Sequence, residues 1–321
     1  MTRRNAFSHL GILLLAGWCL LFLRTSSTDQ SMVRAVFLAH EDGQIRVGLI
    51  YQAPEAAADA SEALVQLRFA SARADTLEGA WNAVEYCLPK KANYRLCDQL
   101  LLPEEELDDL MRQYEMLVIS RGCGRTAARV SVAEFTMAEF EEWSEETRDL
   151  SDKLMEQLKR SARQMPRLYQ QGECSLYPVV KKTAGGFALE GGVLSAERTE
   201  LSFSEEDAAL FRLLTGQGGE QTLHLGDAVI CLRRCIVSKT LERGRITLRL
   251  DCQTQYGAEE PTTAQKQQLE RLCTQMVQSL WEQGIDLLGV EAQSTLQWGR
   301  EEAVCTTKNA CPEIRTDVRF F

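Results

Sequence analysis

The residues with the most reactive side chains in this sequence are its 11 cysteines and three histidines. A zinc site is not predicted, because no two cysteines stand in a C-x-x-C spacing and the only imidazoles are those of His9, His40 and His224. The segment Arg121–Arg125, with the sequence RGCGR, could form an anion-binding turn around a reactive Cys123. We prefer the simpler interpretation, in which this segment is a tight turn flanked by charged side chains.

Familiar catalytic patterns are absent from the sequence, which contains no G-x-S-x-G, P-loop, H-E-x-x-H or dinucleotide-binding motif. The pairs Gly185-Gly186 and Gly191-Gly192 lack a phosphate-binding spacing, and we interpret them as turn and bulge residues. One acidic cluster is interpreted as a solvated face, although spacing alone would allow a carboxylate pair for glycoside hydrolysis. Its members are Glu139, Glu141, Glu142, Glu145 and Glu146. The sequence therefore predicts no catalytic residue, no cofactor site and no metal site.

The N-terminus carries a strong targeting signal. Arg3 and Arg4 precede the uncharged run Asn5–Leu23, which as a helix would span roughly 28 Å, about one hydrocarbon core. Three interpretations stay open: a retained signal anchor, a signal peptide cleaved near the small residues 25–27, and a lipoprotein signal with lipidation on Cys19. Trp18 occupies a position where a lipoprotein signal usually has a small residue. In all three cases the bulk of the chain lies outside the cytoplasm.

Export would permit disulfides, and ten cysteines remain after Cys19, an even number. Cys305 and Cys311 flank a polar loop and are the pair that we predict to be bridged. Strand-like surroundings predict that a further three cysteines are free and buried, namely Cys231, Cys235 and Cys252.

Length and charge limit the remaining possibilities. With 321 residues, the chain is expected to form about two domains plus an attached segment. Its formal net charge of -10 argues against nucleic-acid binding and against broad adhesion to anionic lipid headgroups. We interpret the charge as that of a solvated surface.

Alternating strand and helix patterns predict a mixed first domain over residues 32–142. Asp42-Gly43, between two alternating apolar runs, predicts a hairpin turn. Pro103, followed by three glutamates, predicts a helix start. The further predicted elements are strands at 64–72, 100–102, 116–122 and 128–135 and a helix at 77–88.

A linker helix and a reduced middle region are predicted over residues 143–184. Apolar side chains at three- and four-residue steps predict one helix from Trp143 to Met165, ended by Pro166. We interpret it as a packed linker helix, with a partner-facing helix as the alternative.

The second domain is predicted over residues 185–321. It begins with strands marked by glycines and continues into a helix that Ser204 should cap and Gly216 should end. A hairpin turning at Arg243-Gly244, a long helix with a capping box at Thr262 and Gln265, and a closing strand at 314–321 follow. The predicted fold class is α+β, with two or three mixed sheet-plus-helix domains behind an anchor or signal segment (1–24) and a tether (25–31).

Three stretches together resemble one family, the Ger(x)C family of C subunits of GerA-type spore germinant receptors. Residues 185–219, GGFALEGGVLSAERTELSFSEEDAALFRLLTGQGG, resemble its glycine-marked strand, acidic helix start and Leu-x-Gly end. Residues 74–106 resemble its N-terminal block, in which Thr-Leu-x-x-Ala starts a helix. Residues 285–299, IDLLGVEAQSTLQWG, are similar to its Asp-x-hydrophobic-Gly segment. The resemblance extends from Val33 to the C-terminus.

The resemblance implies a non-enzymatic, membrane-tethered subunit on the outer face of the spore inner membrane or the cytoplasmic membrane. It implies assembly with the receptor's A and B subunits, both membrane proteins, and a role in nutrient-triggered germination. The alternative is an exported ligand-binding lipoprotein or enzyme unrelated to sporulation.

Overall fold

The computed structural model describes residues 30–52, 66–168, 174–196, 199–217, 220–226, 228–257 and 260–321. The N-terminal segment with Cys19 lies outside these residues. The described residues divide into two compact units, one within the ranges Met1–Ala128 and Phe135–Glu156 and the other within Arg129–Glu134 and Gln157–Phe321. Both units mix sheet and helix, so the predicted α+β class is confirmed. The domain limits proposed at residues 142 and 184 stay a prediction.

The first unit is built on the hairpin of β1 (Gln30–Glu41) and β2 (Gln44–Gln52). Its turn is the predicted Asp42-Gly43, where both residues have positive φ, 55° and 77°, as a two-residue hairpin turn requires. β3 (Leu67–Ala74) pairs antiparallel with β2, and β4 (Lys91–Asn93) and β5 (Gln99–Leu102) pair parallel with β1. Among the described residues of this unit, the α-helices are α1 (Leu77–Cys87), α2 (Leu107–Arg121), α3 (Met137–Glu146) and most of α4 (Leu150–Arg160).

The strand predicted at 116–122 is wrong, because these residues complete α2. The buried side chains of α2 form one continuous helical stripe: Leu107, Leu110, Met111, Tyr114, Leu117 and Val118. The period of this stripe, which starts at Leu107, outweighs the short β-prone run of Val118 and Ile119. Gly122 then ends the helix in the left-handed conformation, with φ of 65°.

The single helix predicted from Trp143 to Met165 is also wrong, since two helices occupy this region. α3 begins before it, at Met137, where Thr136 and Glu139 form a capping box. Thr147 ends α3 in an extended conformation, and α4 starts at Leu150.

The second unit contains three groups of strands among its described residues. β6 (Arg129–Ala133) pairs parallel with β8 (Val179–Thr183), which pairs antiparallel with β9 (Gly186–Leu189). A three-stranded sheet has the order β11-β10-β7, and a four-stranded sheet has the order β12-β13-β14-β15. Their bounds are β7 (Cys174–Tyr177), β10 (Gly192–Ala196), β11 (Thr199–Phe203), β12 (Gln221–Leu225), β13 (Ala228–Glu242), β14 (Arg245–Thr254) and β15 (Glu313–Phe320).

Three helices complete the described part of this unit, α5 (Glu205–Thr215), α6 (Thr263–Glu282) and α7 (Val290–Trp298). Alternate side chains of β14, from Ile246 to Cys252, pack into a core with α6, whose inward residues include Leu269, Cys273 and Val277. β15 runs parallel to β14, and its Val318 N–H donates to the Glu270 carboxylate of α6 at 3.0 Å. No helix in the described part of the chain combines the length and apolar character needed to span a membrane.

Candidate functional site

Gly191 lies in the stretch 185–219, where β10 meets the start of α5. Gly191 has φ of +67°, and a Cβ added to it would lie 2.3 Å from the Phe203 carbonyl oxygen. Its N–H donates to the Glu205 carboxylate at 2.7 Å. The start of β10 is thereby held against the first turn of α5. Glycine is required here both by backbone conformation and by space.

Glu205 also binds the buried Arg212, which donates to the Glu205 carboxylate at 3.2 Å. Burial lowers the pKa of the Arg212 guanidinium, and the carboxylate opposes that change. Gly191, Glu205 and Arg212 therefore form a polar cluster in the second unit, in which the half-exposed Glu205 carboxylate accepts from two donors. This arrangement can hold a strand and a helix together.

The caps predicted for α5 are confirmed. The Ser204 hydroxyl accepts from the Asp207 N–H at 3.1 Å, and three acidic residues fill the first turn. Gly216 closes the helix with φ of 67°. The residues of the stretch are thus fold determinants.

An apolar groove lies between β11, α5 and α6 of the second unit, with a volume of about 370 Å³. We call it the α5–α6 groove. Its apolar lining residues are Leu201, Phe203, Leu210, Leu272, Met276 and Leu280. Its polar lining includes Asp207, Gln275, Ser279 and Gln283. The groove can accept apolar groups, and it presents no pair of nucleophile and base.

The thiol predicted as an alternative reactive centre, Cys123, is half-buried between two left-handed glycines, Gly122 and Gly124. Burial raises its pKa, so the thiolate that would act as a nucleophile is disfavoured. Burial likewise raises the pKa of Cys97, Cys174 and Cys273 to about 12. The interpretation of the glycine-rich segment as a turn agrees with this geometry.

The predicted disulfide partners Cys305 and Cys311 are both free thiols in this structure. Cys305 Sγ lies 3.1 Å from the Thr307 hydroxyl, and Cys311 packs partly buried against the core of the second unit. Burial raises the pKa of the Cys311 thiol. Their bridging stays a prediction, as does lipidation of Cys19, which lies outside the described residues.

The acidic cluster is more than a solvated face, because two of its members have structural partners. Glu139 completes the capping box of α3, accepting from the Thr136 N–H at 2.8 Å. Glu141 accepts from the Arg46 guanidinium and from the Ser71 hydroxyl. Arg46 is 4% exposed and had no signal in the sequence beyond its place in a strand with buried neighbours. Among the described residues, no three His, Cys, Asp or Glu side chains stand where they could hold a metal ion.

Comparisons with known proteins gave one match. The sequence matches no protein-family model and no curated protein. A solved structure titled "Crystal Structure of the GerBC protein" is similar to this chain with a TM-score of 0.48 and 11% sequence identity. The alignment covers 89% of this chain and 96% of that one.

Proposed function

We propose that this chain is a non-enzymatic, membrane-tethered, extracytoplasmic subunit of a spore germinant receptor. It would lie on the outer face of the spore inner membrane or the cytoplasmic membrane and act by assembling with the receptor's A and B subunits. The observation that carries the proposal is the order and spacing of the three stretches at 74–106, 185–219 and 285–299.

The structure explains why those stretches have recognisable sequences. Thr76 caps α1 by accepting from the Gly79 N–H at 3.1 Å, Gly191 and Gly216 hold the left-handed conformations around α5, and Gly289 does so before α7. Each position dictates a residue type through backbone geometry. A shared pattern at such positions supports a shared fold, and the tether and partners follow from the family resemblance.

Deletion of the gene tests the proposal. We expect the deletion strain to form spores in normal number and to lose its germination response to nutrients, measured by the fall in optical density of a spore suspension. The intact gene supplied in trans should restore the response, and a Gly185→Ala copy should do the same, since that glycine has open space around it. Normal germination of the deletion strain with every nutrient tested would contradict the proposal, as would a host that forms no spores.

The α5–α6 groove favours a second candidate, an exported ligand-binding lipoprotein unrelated to sporulation. Its volume, about 370 Å³, falls at the small end of the range for small-molecule sites. The gene neighbourhood separates the two: an adjacent reading frame for a multi-pass, transporter-like protein supports the receptor subunit, and an isolated gene supports the lipoprotein.

A further inference from the structure

Two cysteines of the second unit stand opposite each other in the four-stranded sheet. Cys235 of β13 pairs with Cys252 of β14 in the antiparallel register, and their sulfur atoms are 3.1 Å apart. Directly opposed residues of antiparallel strands have Cα atoms about 4.5–5.5 Å apart. Disulfides span Cα separations of about 4.4–6.8 Å, so the backbone needs little movement to accept one here.

A β-bulge creates this juxtaposition. The register of β13 against β14 shifts between Leu232 and Arg234, so that Arg233 has no direct partner on β14. In a regular strand, Arg234 would lie on the same face of the sheet as Leu232. The shift places Cys235 on that face instead. Val237 continues the inward row, opposite Leu250. The prediction of free, buried thiols is confirmed at Cys252, whereas Cys231 and Cys235 are free and only partly buried.

The two thiols differ in access and acidity. Cys252 is fully buried, and Cys235 is partly exposed at the edge of the core. A hydrogen bond from the Cys252 thiol lowers the pKa of Cys235, and the same bond and burial raise the pKa of Cys252. The sulfur with more thiolate character is therefore also the one that a reagent from solvent can reach. A third thiol, Cys273 of α6, lies fully buried in the same core.

We propose that Cys235 and Cys252 form a reversible disulfide that closes the β13–β14 hairpin. The oxidant is an external disulfide, either a small one such as oxidised glutathione or that of a thiol–disulfide oxidoreductase. The Cys235 thiolate attacks the external disulfide, forming a mixed disulfide and expelling one thiolate. The Cys252 sulfur, on losing its proton, attacks Cys235 Sγ, and the second external thiol leaves. In balance, two protein thiols and one external disulfide become one protein disulfide and two external thiols.

Peptide mapping of the full chain tests the bond directly. The protein, purified in detergent, is incubated with a redox buffer of oxidised and reduced glutathione, its free thiols are blocked with N-ethylmaleimide, and it is digested with trypsin without reduction. Cleavage at Arg and Lys places Cys235 alone in the peptide 235–239 and Cys252 alone in the peptide 250–266, while Cys231 and Cys273 fall in other peptides. We expect the peptides 235–239 and 250–266 to appear linked, two hydrogens lighter than their sum, and to separate on reduction.

Thermal unfolding gives a second readout. The oxidised chain should unfold at a temperature about 5–10 °C higher than the reduced chain, because the bond joins two residues that are 17 positions apart in the sequence. Cys235→Ser should abolish this difference, and Cys231→Ser should retain it, because Cys231 lies on the same strand and opposes Thr222 of β12.

Full N-ethylmaleimide labelling of both Cys235 and Cys252 after oxidation would overturn the proposal, as would linkage of either cysteine to Cys273 instead.

Discussion

Among the described glycines, Gly191 leaves the least room for an added side chain. An alanine there meets two separate costs: the left-handed backbone conformation, about 1–2 kcal/mol, and the close approach of its Cβ to the Phe203 carbonyl oxygen. Relieving a contact of 2.3 Å requires the backbone of β11 to shift, and overpacking of this kind costs about 1–3 kcal/mol.

We therefore expect Gly191→Ala to lower the free energy of unfolding by about 2–5 kcal/mol, measured by urea denaturation followed by circular dichroism. Two matched variants separate the causes. Gly216 has φ of +67° but open space, so Gly216→Ala should lose about 1–2 kcal/mol. Gly185→Ala, with open space and no positive φ, should be near neutral. Equal losses for Gly191→Ala and Gly216→Ala would show that the Phe203 contact relaxes freely.

At the scale of elements, a buried charge cluster ties three strands to a helix in the first unit. Arg46 of β2 donates to Glu41 of β1 at 2.7 Å, to Ser71 of β3 at 2.9 Å and to Glu141 of α3. Its side chain is 5% exposed and that of Glu41 is 16% exposed. Removing one member of such a cluster leaves its partner's charge buried without compensation, which usually costs more than the pair contributes.

Arg46→Met should therefore destabilise the chain by about 3 kcal/mol in urea denaturation. Glu41→Gln added to Arg46→Met should recover part of the loss, because it removes a largely buried carboxylate whose one remaining ion-pair partner among the described residues, Arg73, is 3.9 Å away. Arg243→Met is the matched control: its side chain is 77% exposed and that of its partner Glu302 is 57% exposed, so the loss should stay below about 1 kcal/mol. A loss of similar size for both arginines would contradict the role given to the buried cluster.

Prediction from sequence succeeded for the elements whose signals are local. The Asp42-Gly43 turn, the Ser204 cap and the Thr262–Gln265 capping box all lie where the sequence placed them, because each depends on residues a few positions apart. Errors arose where a longer pattern competed with a shorter one, as at the end of α2.

Side-chain contacts between different helices and strands could not be predicted from the sequence. The Arg46 cluster joins residues up to 95 positions apart, and the Cys235–Cys252 pairing depends on one unpaired residue in a bulge. Neither the long sequence separation nor the bulge produces a periodic pattern in a single sequence. The hydrogen-bonded cluster of Gly191, Glu205 and Arg212 was likewise visible only as separate glycine and helix-start signals.

For the whole molecule, the proposed attachment to the membrane would depend on the uncharged run Asn5–Leu23, which lies outside the described residues. Its length and apolar character match the hydrocarbon core of a bilayer, roughly 30 Å. A single acyl chain, by contrast, holds a protein to a membrane only marginally and reversibly. We propose that the run itself retains the chain at the membrane.

Cys19→Ala tests this proposal, because it removes the one residue to which a lipoprotein anchor would attach. We expect the variant to remain in the membrane fraction after washing with high salt and with carbonate, as the unaltered chain does, because the apolar run is intact. Replacing Leu13 and Leu14 together with arginine should instead prevent insertion, since each charge near the centre of a spanning helix costs about 2.5–3.5 kcal/mol. Release of the Cys19→Ala protein into the soluble fraction would assign the anchor to lipidation. Recovery of the unaltered chain as a soluble protein with a new N-terminus near residues 25–27 would show that the segment is a cleaved signal peptide.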